Sequence, residues 1–388
     1  MRGVSIIGIG KTKFGVFPDR SLKSLIAEAG KKALLDARID ASMIQAFYLG
    51  NFAATGFNRQ NHVAAYAATA IGLPNVPCTR FEAACASSGA ALREAVIAVG
   101  SGLYDFILAG GVEKMNSVDT PRVTEYLAQA ADWETEAKIG ATFPSMFALM
   151  ATRHMHDYGT TREQISQVAV KNHANGAKNP DAHMQKEITL EKAAKSTVLV
   201  AEPLNLYDCS LITDGAAAVV VCASDLAAQY TKTPIDVIGH GQASDSFCMY
   251  QKKDITRFEA TIAAGRRAFE MAQVSPDDVD VVEVHDCFTI AEIIAIEDLG
   301  FCKKGQGGPF TIEGMTAIGG KIPVNTSGGL KSKGHPVGAT GVAQVAELVL
   351  QLRDQAGPRQ VKDAEIALAH NLGGSGASCV VHILQRRA

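Results

Sequence analysis

One stretch of this chain is written twice. Residues 27–52, AEAGKKALLDARIDASMIQAFYLGNF, match residues 262–287, IAAGRRAFEMAQVSPDDVDVVEVHDC, at an offset of 235. Gly30 falls on Gly265, Ala33 on Ala268, Ala37 on Ala272, Ile44 on Val279 and Leu49 on Val284. In each copy apolar residues recur at three and four positions, which predicts a helix, and then give way to a short β-branched run such as Val279 to Val284, which predicts a strand. A strand punctuated by glycine precedes each copy, VSIIGIG at 4–10 and IDVIGHG at 235–241. A strand, helix, strand unit occurring twice at such a distance restricts the fold to two similar α/β halves.

A second pair of segments follows in the same order. Cys85 opens a helical stretch in the first half, and GHPVGATG at 334–341 opens one in the second. Each leads to an apolar strand ending in glycines, DFILAGG at 105–111 and EIALAHNLGG at 365–374. Residues 117–205 lie outside the repeat and are more polar, with helical pieces at 141–158 and 161–178. A long insertion of this kind often covers a binding site, and we read it as a lid on the substrate side. The expected division is therefore 1–116 for the first part of one half, 117–205 for the loop domain, 206–232 for the end of that half, and 233–388 for the other.

At 388 residues the chain is long enough for two lobes, and 47% hydrophobic residues with 20% charged suit buried strands. The net charge of −3 offers no basic stripe, so binding to nucleic acid through phosphate neutralisation has no support. Eight cysteines are scattered without a C-x-x-C pair, which argues against a zinc ribbon and a secreted disulfide framework. The N-terminus opens directly into a strand, and no apolar run reaches the ~18 residues of a membrane span, so a cytoplasmic protein is expected.

Four places carry chemistry. Cys85 lies in FEAACASSGAALREAVIAV, where small residues turn into a helix. Unpaired backbone N–H groups and the helix dipole there would favour the thiolate, and Ala84, Ala86, Ser87, Ser88 and Gly89 leave room for an acyl group. His335 lies in a glycine-rich turn entering a helix, where a rigidly held imidazole can take a thiol proton. His285, Asp286 and Cys287 follow directly on an apolar strand, the place where α/β sheets line an active-site crevice. Cys287 could carry a second proton and His285 could hold a carbonyl oxygen or a water. His370 and Asn371 follow the strand 365–369 as further candidates, and the glycines behind them offer N–H groups to an oxyanion.

Other patterns carry nothing. Gly10-Lys11-Thr12 evokes a phosphate-binding loop, but Ser5 stands where that motif needs glycine. His154 and His156, two apart, cannot share a helix face, and no metal site is expected. Phe143, Met146, Phe147 and Met150 form a stripe at helical spacing that could line an acyl pocket, although such stripes are more often core.

CASSG at Cys85, GGVEKMN at 110–116, ITDGAAA at 212–218 and NTSGGLKSKGHPVGATG at 325–341 occur in an order that resembles the thiolases from end to end. HDCF at 285–288 and HNLGGSG at 370–376 further resemble the sterol-carrier-protein-type and archaeal acetoacetyl-CoA branch, and 2-benzoylsuccinyl-CoA thiolase is also similar. Most thiolases carry Asn-Glu-Ala-Phe and a late Cys-x-Gly, which this chain lacks. His370 stands where their second cysteine would be, so the resemblance moves the acid/base role to Cys287; Cys379 lies too far along the strand.

The resemblance implies a thiolase fold, two βαβαβαββ halves in a five-layered αβαβα core with an inserted loop domain. It implies CoA-dependent cleavage of a 3-oxoacyl-CoA, or the reverse Claisen condensation, through acyl-Cys85. His335 would generate the nucleophile, His335 and a water held by His285 would stabilise the enolate oxygen, Cys287 would carry the proton, and backbone N–H groups of Cys85, Leu372 and Gly373 would hold the second oxyanion. CoA and its esters are the ligands, with CoA a substrate and no permanently bound cofactor. A homodimer or dimer of dimers and a small OB-fold, zinc-ribbon, acyl-CoA-binding subunit are the partners implied. Acetoacetyl-CoA is the default substrate, with 2-benzoylsuccinyl-CoA, and hence aromatic degradation, the bulkier option. The rivals are another condensing enzyme of the ketosynthase type and a non-catalytic CoA-ester binding subunit.

Overall fold

A computed structural model describes residues 2–73 and 75–387. The chain begins β1 (Val4–Lys11), α1 (Leu22–Ala37), β2 (Ala46–Gly50), α2 (Ala54–Asn58), α3 (Val63–Ile71), β3 (Cys78–Phe81), α4 (Ser87–Gly100) and β4 (Phe106–Glu113). It continues with α5 (Thr120–Ala128), α6 (Phe143–Tyr158), α7 (Arg162–Ala177), α8 (Leu190–Ala194), the short hairpin β5 (Leu199–Ala201) and β6 (Leu204–Asn205), then β7 (Gly215–Ala223) and α9 (Ser224–Ala227). The remainder is β8 (Ile235–Ser244), α10 (Glu259–Ala272), β9 (Val281–Glu283), α11 (Thr289–Asp298), α12 (Gly307–Ile312), α13 (Thr340–Leu352), β10 (Ile366–Gly373) and β11 (Ser378–Arg386).

The main strands run in one order, β3-β2-β4-β7-β1-β8-β11-β10-β9, in which β3 to β1 make the first sheet and β8 to β9 the second, continuous with it, so the second half runs through its strands as the reflection of the first. The strands of the two halves join where β1 pairs with β8, over Ser5–Asp236 and Ile6–Ile235. The offset of 235 survives in detail. Arg38 ends α1 and Gln273 ends α10, both in the left-handed conformation with φ of 55° and 57°, where their backbone N–H groups cap carbonyls of the preceding turn. The paired strand glycines have a steric reason. A Cβ on Gly8 or Gly10 would strike the Ala33 or Ala29 carbonyl of α1, and one on Gly239 or Gly241 the Ala268 or Ala264 carbonyl of α10. Helix backbone thus lies directly on strand backbone in both copies.

Five layers follow from which faces are apolar. One cluster joins α1 and α3 to the outer face of the first sheet through Leu25, Ile26, Phe47 and Val220. A middle cluster joins α4 and α13 to the inner faces of both sheets, through Leu92, Val96, Val345, Leu348, Val219 and Ala367. A third joins α10 and α11 to the second sheet, with α6 and α7 packed beyond. All but one residue of α13 is buried, the position of a helix covered on every side. The central pair α4 and α13 point their N-termini at one region, where the candidate residues converge. No helix among the described residues is long and apolar enough to cross a membrane.

Candidate active site

A cavity of about 470 Å³ opens at those two helix N-termini. Cys85, Cys287, His335 and Gly374 line its floor, and the segment after β4 supplies much of its wall. His285 lies just behind. The Cys85 sulfur, a His285 ring nitrogen and a His335 ring nitrogen all fall within 4.8 Å of one another. The two imidazoles stand 4.9 Å apart between ring centres at an interplanar angle of 84°.

Each side chain is delivered by a different local device. Cys85 precedes α4, on a turn in which Ala84 takes φ +49°, a strained value for a residue with a Cβ. The Ala84 N–H donates to Glu82 Oε1 at 2.6 Å, and Ser87 Oγ accepts from the Ala83 N–H at 3.0 Å, which holds the turn. His285 and Cys287 leave the end of β9 and precede α11. The loop bearing His335 is tied down by buried charge: Asp286 accepts from the Leu330 and Lys331 N–H groups at 2.6 and 3.2 Å, and Glu283 from Ser327 Oγ at 2.6 Å. Glu292 adds Asn325 Nδ2 at 2.7 Å and Asn172 Nδ2 at 2.9 Å.

Hydrogen bonds give the two imidazoles opposite tautomers. The Thr340 hydroxyl donates to the Pro336 carbonyl at 3.1 Å, so it accepts from His335 Nδ1 at 2.7 Å. His335 Nε2 is therefore free of a proton and able to take one. Asn371 Nδ2 donates to the Cys85 carbonyl at 2.9 Å and to His285 Nδ1 at 3.3 Å, which leaves the His285 proton on Nε2 as a donor. A metal ion could join these three side chains only if His285 surrendered that Nε2 proton and lost the Asn371 bond.

Burial and backbone N–H groups act in opposite directions at the cysteine. Removal from water pushes the Cys85 thiol up to about 12, with Glu113 adding to the rise, while N–H groups of Gly374 and Cys85 itself pull it down. Burial holds Cys287 well above the ordinary thiol range, helped by Cys85 and Asp286. His335 is lowered to about 3 by burial and Lys333, and His285 lies well below its usual value through burial, His335 and His370. The resting site thus holds neutral thiols and neutral imidazoles. Against the thiolate expected at this helix start stands the desolvation of the sulfur, and for it the N–H groups of Gly374 and Cys85.

Other expectations are corrected. His370 and Asn371 lie within β10 rather than beyond its end. His370 faces away from the cavity: its Nδ1 accepts from the His285 N–H at 3.3 Å, and its Nε2 lies 2.9 Å from the Thr261 hydroxyl. The Gly374 N–H acts on the Cys85 thiol, while Leu372 and Gly373, named for the second oxyanion, are ladder residues opposite Cys379 and Ser378. Gly374 lies past the strand end with φ +61°, outside that ladder. Phe143 and Phe147 line the cavity, but Met146 and Met150 are 3% and 0% exposed and belong to the interior.

Glu113 was not singled out by sequence. Wholly buried at the end of β4, it accepts from Asn51 Nδ2 and the Phe52 N–H, both at 2.9 Å, from the Ala53 N–H at 3.2 Å and from the Gly338 N–H at 3.1 Å. It clamps the His335 turn of the second half to the first half. Burial raises its carboxyl to about 7 against those hydrogen bonds. Its place in GGVEKMN was the available signal.

Residues 4–225 match the family model described as Thiolase, N-terminal domain, and residues 241–386 that described as Thiolase C-terminal domain-like. The chain is 51% identical to an acetyl-CoA acetyltransferase of Methanothermobacter thermautotrophicus, over 100% of both proteins. It is 35% identical to sterol carrier protein 2 of Bos taurus, across 97% of this chain and 71% of that protein. It is also 35% identical to the benzoylsuccinyl-CoA thiolase subunit BbsB of Thauera aromatica, across 96% and 95%. Among solved structures, an Ltp2-ChsH2(DUF35) aldolase aligns over 99% of this chain and 98% of that one, with a TM-score of 0.86 and 27% identity. Human mitochondrial 3-ketoacyl-CoA thiolase in complex with CoA aligns over 100% and 98%, with a TM-score of 0.78 and 19% identity, a likeness of fold. Matched along both halves by family models and along its whole length by an acetyltransferase, the chain belongs to the thiolase family and is an acyltransferase of that family.

Proposed function

We propose that Cys85, His335, His285 and Cys287 carry out CoA-dependent cleavage of a 3-oxoacyl-CoA, and the reverse Claisen condensation, by way of an acyl group on Cys85. The observation that carries this is the meeting of Cys85 with two imidazoles of opposite tautomer at the floor of one cavity that Cys287 also lines.

As the Cys85 sulfur attacks the 3-oxo carbon, His335 Nε2 takes its proton, so no resting thiolate is needed. The carbon–carbon bond then breaks and leaves the enolate of the departing CoA ester, acetyl-CoA when the substrate is acetoacetyl-CoA. Its thioester oxygen receives the His335 N–H formed in the first step and the Nε2–H of His285. Cys287, kept as a neutral thiol by burial, is an acid that can protonate the enolate carbon. The Cys287 thiolate so formed takes the proton of an incoming CoA thiol, which attacks the acyl group on Cys85. We assign the oxyanion of that step to the N–H groups of Cys85 and Gly374, which act on the same thiol; as it collapses, Cys85 leaves as the thiolate and takes back the proton held by His335.

Substrates consistent with the relatives are acetoacetyl-CoA and bulkier 3-oxoacyl-CoA esters such as 2-benzoylsuccinyl-CoA, the latter suggested by the name of the BbsB relative. Segment 117–205 is read as a lid domain between the two parts of the first half. A homodimer or dimer of dimers in the cytoplasm belongs to the same proposal. So does a small separately encoded subunit at the CoA site, in keeping with a solved relative named as an Ltp2-ChsH2(DUF35) pair. The direct test is Cys85→Ala, which should abolish thiolysis of acetoacetyl-CoA. Turnover persisting in that variant would remove the assignment.

A further inference from the structure

Among the described residues, the cavity wall carries no Lys, Arg, Asp or Glu side chain. Helix α5 presents Thr120, Val123, Thr124 and Leu127 to the cavity, spaced as one face of a helix. Phe143, Pro144 and Phe147 of α6 stand among the other lining residues. The hydroxyls in the wall are partly committed elsewhere. Thr124 Oγ1 donates to the Thr120 carbonyl of its own helix at 3.1 Å, and Thr142 Oγ1 accepts from the Ser145 N–H at the start of α6 at 3.4 Å.

One buried cation stands behind this wall. Lys331 Nζ donates to the carbonyl oxygens of Cys209 and Leu206 at 2.5 and 3.4 Å, and both of those residues line the cavity. The backbone therefore lies between its charge and any bound acyl group. On α5, Arg122 is exposed and lies 3.9 Å from Asp119.

Resting on the thiolase reading above, we propose that the inner face of α5 selects an uncharged 3-oxoacyl group and rejects one bearing a free carboxylate. Burying a carboxylate without a cation or a full set of donors costs several kcal/mol, while a methyl or phenyl group gains from the same wall. The substrate class is accordingly neutral aliphatic or aromatic 3-oxoacyl-CoA, and Val123, Thr124 and Leu127 are the specificity-determining positions.

Two CoA esters of equal chain length separate the cases, 3-oxohexanoyl-CoA and 3-oxoadipyl-CoA, which differ by a terminal methyl against a terminal carboxylate. With the full-length enzyme, kcat/KM for CoA-dependent cleavage of the neutral ester should exceed that of the charged one by about 100-fold or more. Leu127→Arg, checked for folding by its melting temperature, should narrow that ratio by about tenfold or more by placing a cation in the wall. Equal cleavage of both esters by the unmodified enzyme would overturn the specificity inference and leave the thiolase reading standing. Cleavage of neither ester, nor of acetoacetyl-CoA, would overturn both.

Discussion

His335 is held at Nδ1 by Thr340, and that hydroxyl is itself spent on the Pro336 carbonyl, so one threonine decides which nitrogen of the imidazole faces Cys85. Thr340 is a positioning residue. Thr340→Val should lower kcat by about 10- to 100-fold, within the worth of a general base, and leave KM for acetoacetyl-CoA nearly unchanged. Thr340→Ser, which keeps the hydroxyl, should restore most of the rate. A loss shared equally by both variants would show that packing, rather than the tautomer, is at stake.

Glu113 links the halves through four donors, three of them backbone N–H groups. Glu113→Gln should destabilise the protein by about 1–3 kcal/mol, because an amide NH₂ would meet one of those N–H groups where an acceptor is required. Thermal melting reads this directly. Slower acylation of Cys85 should accompany it, since Gly338 is three residues from His335.

Cys85 should be alkylated by iodoacetamide ever faster as pH rises from 7 to 10, without the plateau that an ordinary thiol reaches near pH 9. Its folded value of about 12 keeps the thiolate a small fraction throughout that range, growing tenfold per pH unit. A plateau below pH 9 would mean that the site stabilises a resting thiolate.

Stability should fall on both sides of neutrality. Burial holds His335, His370 and His382 at about 3 and His173 and His240 at about 4, below the ordinary 6.5. Between those values the unfolded chain binds protons that the folded one refuses, so stability is lost as pH falls below 6.5. Glu113 and Asp286, both raised to about 7, and Asp298, raised to about 6, pull the other way but are outnumbered. Above pH 9 the unfolded thiols ionise while Cys85, Cys222 and Cys379 stay protonated up to about 12, and stability falls again. Urea midpoints across pH 4–10 check the sign on each limb.

Much of this was legible because repeated chemistry has repeated causes. The 235-residue offset placed α1 with α10 and β2 with β9, since the same apolar spacing and the same glycines under the helices serve both halves. Cys85, His285, Cys287 and His335 could be nominated because strand ends and glycine turns mark where a sheet opens. Periodicity shows a face but not what it meets. The stripe Phe143, Met146, Phe147, Met150 therefore divided, two residues to the cavity and two to the interior. Glu113, Gly374 and the wall of α5 act on segments far away in sequence, and no local pattern announces such convergence.

The central claim is that an acyl group rests on Cys85. Mixing the enzyme with acetoacetyl-CoA without added CoA, quenching in acid and mapping peptides by mass should find an acetyl adduct on Cys85, and the adduct should disappear when CoA is supplied. An adduct on Cys287 instead, or full turnover with no adduct on any cysteine, would contradict the account.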